Sequence, residues 1–312
     1  MSSRHAFEQA LARLAEVRAD PRAEGAADEL RRALASRSNL IVARAAEIVT
    51  EWELPGYDAD MTRAFDWFMA DAVRRDPTCA AKVALAEALV AADYDDAELF
   101  ARGLAHVQPE PVWGGREDTA APLRATCALG LARANPPDTL LRLATLLADP
   151  ETDARAGAAR AIARARQAGA APLLWYKTLA GDAEVAPLYE CFVGLLALEP
   201  EAALAHVGRF LESTNVSLAE SAAAALGESR LAAAGPLLRH AWATTGEPAL
   251  RPALLRALAA LRDDESFAFL LERLADGSAA EAREALAALA AYRDDLRRWR
   301  KVERAAQRRG MG

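Results

Sequence analysis

Four histidines, His5, His106, His206 and His240, are the side chains best suited to metal or proton chemistry, and none stands at ligand spacing from a second donor type. There is no His-Glu-x-x-His, no Cys-x-x-Cys and no His-Glu dipeptide. The acidic run Asp93-Tyr94-Asp95-Asp96-Ala97-Glu98 lacks the Gly and the terminal Glu of a calcium loop, and reads as a helix start capped by Asp95 or Asp96. Acyl-transfer chemistry would need a Gly-x-Ser-x-Gly elbow, which is missing, and Gly114-Gly115 lacks the Lys and Ser or Thr of a phosphate loop. Cys79, Cys127 and Cys191 each sit in an apolar helical pattern and read as buried thiols in a reducing compartment. The sequence therefore predicts no catalytic residue, no metal and no cofactor.

Recognition chemistry is better represented. The segment 107–119 contains two prolines, a Gly pair and a large aromatic, with Trp113 beside Arg116 and Glu117. Trp and Arg are favoured as interface anchors. Two readings stand: Trp113 folds back as a plug over adjoining helices, with Asp118 or Thr119 capping a helix at Ala120, or the segment is a binding loop. The stretch from Trp52 to Asp60, followed by Phe65, Trp67, Phe68 and Met69, is dense in aromatics that fill a wide gap or line a shallow partner groove. Trp175, Tyr176 and Trp242 fall on the second helices of repeating pairs, as core or as partner contacts. Trp299 lies in a basic amphipathic helix, Leu296 to Arg309, that closes the last repeat or meets an acidic lipid, RNA, a protein partner or the acidic body of the chain itself.

The elements that must position these residues are helices. Of the 312 residues, 53% are hydrophobic, mostly Ala and Leu, which favours helix and leaves enough apolar surface for a large core. Helix pairs recur in the second half: one helix spans Asp153 to Gln167, and later pairs open at Glu184, Val216, near Pro248 and near Ala279, in steps of 31 to 32 residues. Such a period is the mark of a helical repeat array. Upstream, Leu40 to Val49, Cys79 to Ala91 and Ala120 to Ala134 are further first helices, the middle unit carrying roughly ten extra residues. Phe7, Leu11, Leu14 and Val17 form one stripe of a terminal cap.

Net charge is -7, divided as +5 after residue 292 and -12 before it. An acidic body repels phosphate backbones, which disfavours nucleic acid along the array. No window approaches 18 uncharged apolar residues, and the amphipathic start has no signal-peptide character, so a cytoplasmic protein without a membrane span is expected.

The stretches Asp153-Ala154-Arg155-Ala156-Gly157-Ala158-Ala159-Arg160-Ala161-Ile162 and Val216-Ser217-Leu218-Ala219-Glu220-Ser221-Ala222-Ala223-Ala224-Ala225-Leu226-Gly227 resemble first helices of HEAT repeats. They are similar in particular to the short repeats of bacterial scaffold proteins and phycobilin-lyase relatives. The resemblance spans roughly 40–292 and is strongest after about residue 118, although Val216 and Pro248 stand where an acidic residue often precedes the first helix. It implies an all-α, alpha-alpha superhelix of about seven to nine antiparallel pairs, with second helices lining a concave face that grips protein partners. The expected organisation is one solenoid domain over 1–312, with a cap at 1–39, repeats at 40–292 and a basic helix or tail at 293–312. HEAT-like di-iron hydroxylases carry paired His-Glu dipeptides, which this chain lacks. Helical-repeat DNA glycosylases join concave aromatics to a basic groove, whereas Trp175 and Trp242 would sit on an acidic body. The expected function is a non-catalytic protein-interaction scaffold or adaptor, with Trp113, Arg116, Glu117, Trp175, Tyr176, Trp242 and Trp299 as partner-binding candidates; its oligomeric state stays open between a monomer, which is favoured, and end-to-end pairing through exposed Leu and Ala at an imperfect cap. The alternatives are a nucleic-acid-binding or base-excision protein, and a lyase-like or chaperone-like factor acting on a protein.

Overall fold

Apolar residues recurring every three or four positions in an Ala-rich, Gly-poor background fold here into helices, as the pattern demands. The computed structural model describes residues 3–311. The chain divides into two compact units, Met1–Ala165 and Arg166–Gly312.

In the first unit, α1 (Ser3–Ala19) and α2 (Ala26–Leu34) form the terminal pair, with Leu14 and Val17 buried. First helices α3 (Asn39–Glu51), α6 (Ala80–Ala91), α8 (Ala121–Ala134) and α10 (Thr152–Ala165) pack in a row, each on the next. Beside them lie α4 (Asp58–Ala70), the single turn α5 (Ala72–Arg75), α7 (Ala97–Leu104) and α9 (Thr139–Leu146). Asp96 caps α7, its carboxylate accepting from the amides of Glu98 and Leu99. The aromatic segment mostly fills the interior: Met61, Phe65 and Phe68 are buried, Trp67 meets Phe68 edge-on at 4.8 Å, and Trp52 remains exposed. Between α7 and α8 the helical pattern is interrupted by an antiparallel hairpin, β1 (Pro109–Val112) and β2 (Gly115–Asp118), which accounts for the extra length of that unit.

The second unit begins with α11 (Ala170–Ala180), packed on α12 (Val185–Leu198). It continues with α13 (Pro200–Gly208), α14 (Val216–Glu228), α15 (Ala234–Thr244), α16 (Leu250–Leu261), α17 (Asp264–Asp276), α18 (Ala279–Leu289) and α19 (Leu296–Arg308). Here the first-helix row is α12, α14, α16, α18. Small residues set the spacing of both rows. A Cβ on Gly157 would lie 2.4 Å from the Cβ of Ala125, and one on Gly227 would lie 2.5 Å from the carbonyl oxygen of Ala257. Within the basic segment, α19 packs on α17 and α18 and buries Val302 and Ala306. Among the described residues, no helix is long and apolar enough to cross a membrane.

Candidate functional site

The hairpin owes its form to alternation. Pro109 and Pro111 occupy outward positions on β1, where the missing amide donor costs little, while Glu110 between them turns inward. Pairing runs Pro109 to Asp118, Glu110 to Glu117, Pro111 to Arg116 and Val112 to Gly115. Trp113 and Gly114 make the two-residue turn, with Gly114 at φ +92°, a conformation favouring glycine. Trp113 at the tip is 104% exposed, and Val112 beside it is 45% exposed. The plug reading is thereby corrected: the two-residue turn projects the indole away from the helices instead of folding it onto them. Arg116 and Glu117 are also exposed, and Arg116 Nη2 donates to the Pro109 carbonyl at 3.1 Å.

Beneath this tip is a dense polar mount. Glu110 Oε1 accepts from the Thr78 amide, Gln108 Nε2 and Thr119 Oγ1, each at 2.7 Å. Gln108 Nε2 also donates to the Asp76 carbonyl at 2.8 Å. Asp76 and Lys82 form a fully buried ion pair at 3.0 Å, and the Asp76 carboxylate accepts from the amides of Ala81 and Lys82 at the start of α6. Thr78 and Cys79, at φ 64° and 58°, make the left-handed corner that aims the Thr78 amide at Glu110. On the other side, Arg124 lies 2% exposed and donates to Asp118 at 2.7 Å, to both Asp149 oxygens at 2.9 Å and to the His106 carbonyl. Asp118 accepts from the amides of Gln108 and Ala120, so it fixes the entry into α8 without reaching the amides further along the helix.

Burial alone would raise the Glu110 carboxyl, but the Gln108, Thr119 and Thr78 hydrogen bonds and the Lys82 charge outweigh it and hold the pKa below its ordinary value. Asp118 behaves likewise: burial opposes ionisation, while the two amides and Arg124 depress its pKa. Both carboxyls are therefore fixed as anionic acceptors. This mount was missed in the sequence. Its one legible signal is Lys82 and Arg124 standing at core-facing positions of otherwise apolar helices.

The second-helix aromatics do not form one surface cluster. On α11, Trp175 is half-buried and stacks on His206 with centroids 3.8 Å apart, whereas Tyr176 is exposed beside exposed Leu179. Thr178 Oγ1 donates to the Trp175 carbonyl at 2.7 Å and lies 2.7 Å from His206 Nε2, so Nε2 carries the proton. His206 Nδ1 then accepts from Arg209 at 2.8 Å. Burial and the Arg209 charge push the His206 pKa below its usual value. Trp242 is corrected as a contact candidate: it is 6% exposed, edge-on to Phe269 at 5.4 Å, with the guanidiniums of Arg251 and Arg273 over its ring. Trp299 is half-buried on α19 beneath the Arg293 guanidinium.

Cys79, Cys127 and Cys191 are free and buried. Burial pushes the Cys79 and Cys191 thiols up to about 12, and Cys127 higher still, so all three are poor nucleophiles. Among the described residues, no group of His, Cys, Asp and Glu is placed to hold a metal ion.

Comparison with known proteins bears on part of the second unit and on the fold. No curated protein sequence matches the chain. In structure it is similar to the complex of CpcE and CpcF of phycocyanin lyase from Nostoc sp. PCC7120, at 18% identity over 78% of this chain and 94% of that one, TM-score 0.42. It is similar also to human deoxyhypusine hydroxylase in complex with glycerol, at 19% identity over 91% of this chain and 98% of that one, TM-score 0.33. An engineered protein matches at 17% identity over 91% and 87%, TM-score 0.42. These likenesses concern the arrangement of helices and carry nothing about activity. Residues 204–290 match the family profile of HEAT repeats, and the described residues outside that span are likewise mostly packed helices, in keeping with a HEAT-like, all-α repeat fold.

Proposed function

We propose that this chain is a non-catalytic protein-interaction scaffold or adaptor, and that the Trp113 hairpin is its principal partner anchor. The observation that carries the reading is a fully exposed indole held on a clamped base. Exposing a tryptophan forgoes roughly 2–3 kcal/mol of burial, a cost that a partner pocket recovers. A base fixed by buried ion pairs limits the ordering entropy lost on binding, which favours affinity. Arg116 and Glu117 flank the tip and supply polar contacts at its rim. Trp175 and Tyr176 on α11 form a secondary contact patch. The three buried thiols suit a reducing, cytoplasmic setting, and the reading takes the protein as a monomer that presents these surfaces singly.

Affinity capture with wild-type, Trp113→Ala and Trp175→Ala baits tests this reading. The expected result is one protein complex whose recovery collapses with Trp113→Ala, its Kd weakened roughly 30-fold, as for loss of an interface hot spot. A bound set unchanged by both substitutions would sink the assignment.

A further inference from the structure

The last helix pair of the second unit has an apolar groove on its face, about 560 Å³, between α18 and α19. Leu286, Ala287 and Ala290 form one wall, Trp299, Val302 and Ala306 the other, and Arg283 and Arg293 stand at the rim. Leu286 and Ala290 are half-exposed. Their counterparts 31 residues earlier, Leu255 and Ala259, are 0% and 1% exposed, in a helix packed between α14 and α18. The molecule thus shows what this kind of surface receives one repeat earlier: another helix. Leu286, Trp299 and Met311 line an open groove whose apolar character matches the surface buried one repeat earlier.

Charge selects the occupant. Neither Arg283 nor Arg293 has a carboxylate partner among the described residues: Arg283 Nε donates to the Ala279 carbonyl, and Arg293 lies over the Trp299 ring. Glu303 is the only acid in the lining, and residues 293–312 carry a net charge of +5. We infer that the α18–α19 groove is a docking site for an acidic amphipathic helix of a partner protein, its apolar stripe on Leu286, Ala290 and Trp299 and its carboxylates on Arg283 and Arg293. Arginine forks pair with carboxylates in bidentate geometry, and a half-exposed aromatic beside them supplies the apolar anchor. This site is separate from the Trp113 hairpin and stands or falls independently of it.

The test is fluorescence anisotropy with the full chain and two fluorescein-labelled amphipathic peptides that share one leucine stripe, flanked by Glu in one and by Lys in the other. Saturable binding of the Glu peptide, at least about tenfold tighter than the Lys peptide and weakened by added salt, is expected. Leu286→Glu should weaken it about tenfold or more. As Leu286 is half-exposed, its melting transition should stay near wild type. The double variant Arg283→Glu/Arg293→Glu should reverse the preference towards the Lys peptide, a gain that misfolding does not mimic. Equal affinity for both peptides, no binding of either, or binding indifferent to these variants overturns the proposal. Sedimentation showing a wild-type dimer dispersed by Leu286→Glu would give the groove to a second copy. Cosedimentation with phosphatidylserine vesicles that is lost in the same variant would give it to a membrane. Either result overturns it too.

Discussion

Arg124 shows how much of this molecule rests on single buried charges. Its guanidinium joins Asp118 at the end of the hairpin to Asp149 in the connection between α9 and α10, all three largely out of water. Removing it leaves two carboxylates without their cation, and breaking such a pair costs about 3–5 kcal/mol. Arg124→Met is therefore expected to lose stability of that order in urea unfolding. Trp113→Ala, touching nothing, should change it by about 0.5 kcal/mol or less. The mount also has a pH dependence. Glu110 and Asp118 have folded pKa values below their unfolded values of 4.5 and 3.8, so their contribution is complete above those values and lost as pH falls through the lower folded ones. Acid unfolding monitored at Trp fluorescence should show this loss, diminished in Glu110→Gln. His206 follows the same sign: its depressed folded pKa means that stability falls as pH drops below the ordinary value of 6.5. Nitrogen NMR should find the neutral Nε2–H form down to a pH below 6.5; a pKa at or above that value would contradict the Thr178 and Arg209 hydrogen bonds.

Helices and hairpin differ in how they are held. The first helices approach closely because Ala and Gly face one another, as where Gly157 meets Ala125 between α10 and α8, and Gly227 meets Ala257 between α14 and α16. A methyl group at either glycine has to displace backbone or a helix-borne Cβ, neither of which can swing aside. Gly157→Ala and Gly227→Ala should each cost about 1–3 kcal/mol in thermal or denaturant unfolding, despite the better helix propensity of alanine. The hairpin, with four residues per strand and two prolines, has too few ladder bonds to stand alone and depends on the bonds that its own Glu110 and the preceding Gln108 make to Thr78, Thr119 and Asp76. The same substitution thus has opposite meanings: alanine at the hairpin tip is neutral for stability, while alanine at a row glycine is a clash.

Across the whole molecule, the division into two compact units has a measurable consequence. Gly157 lies in Met1–Ala165 and Gly227 in Arg166–Gly312, with no shared contact partner at the two glycines. The stability losses of Gly157→Ala and Gly227→Ala should add within about 0.5 kcal/mol in the double variant. A strongly non-additive result would show the two rows to be energetically coupled.

The sequence by itself determined the helical repeat. Openings expected at Glu184, Val216, near Pro248 and near Ala279 fall at Val185, Val216, Leu250 and Ala279, because apolar spacing along a helix is a local property that each segment carries within itself. Buried cysteines and the Asp96 cap were legible for the same reason. Only the tertiary structure decided the site. Glu110 is held by residues 32 positions away, Arg124 reaches Asp149 across 25, and nothing in the local order of Pro, Glu, Trp and Gly states that the indole faces water while the neighbouring carboxylate faces the core. Trp242 and Trp113 have the same side chain and opposite fates, since burial is set by what packs from other helices: Arg251, Arg273 and Phe269 close over one ring, and among the described residues no element covers the other.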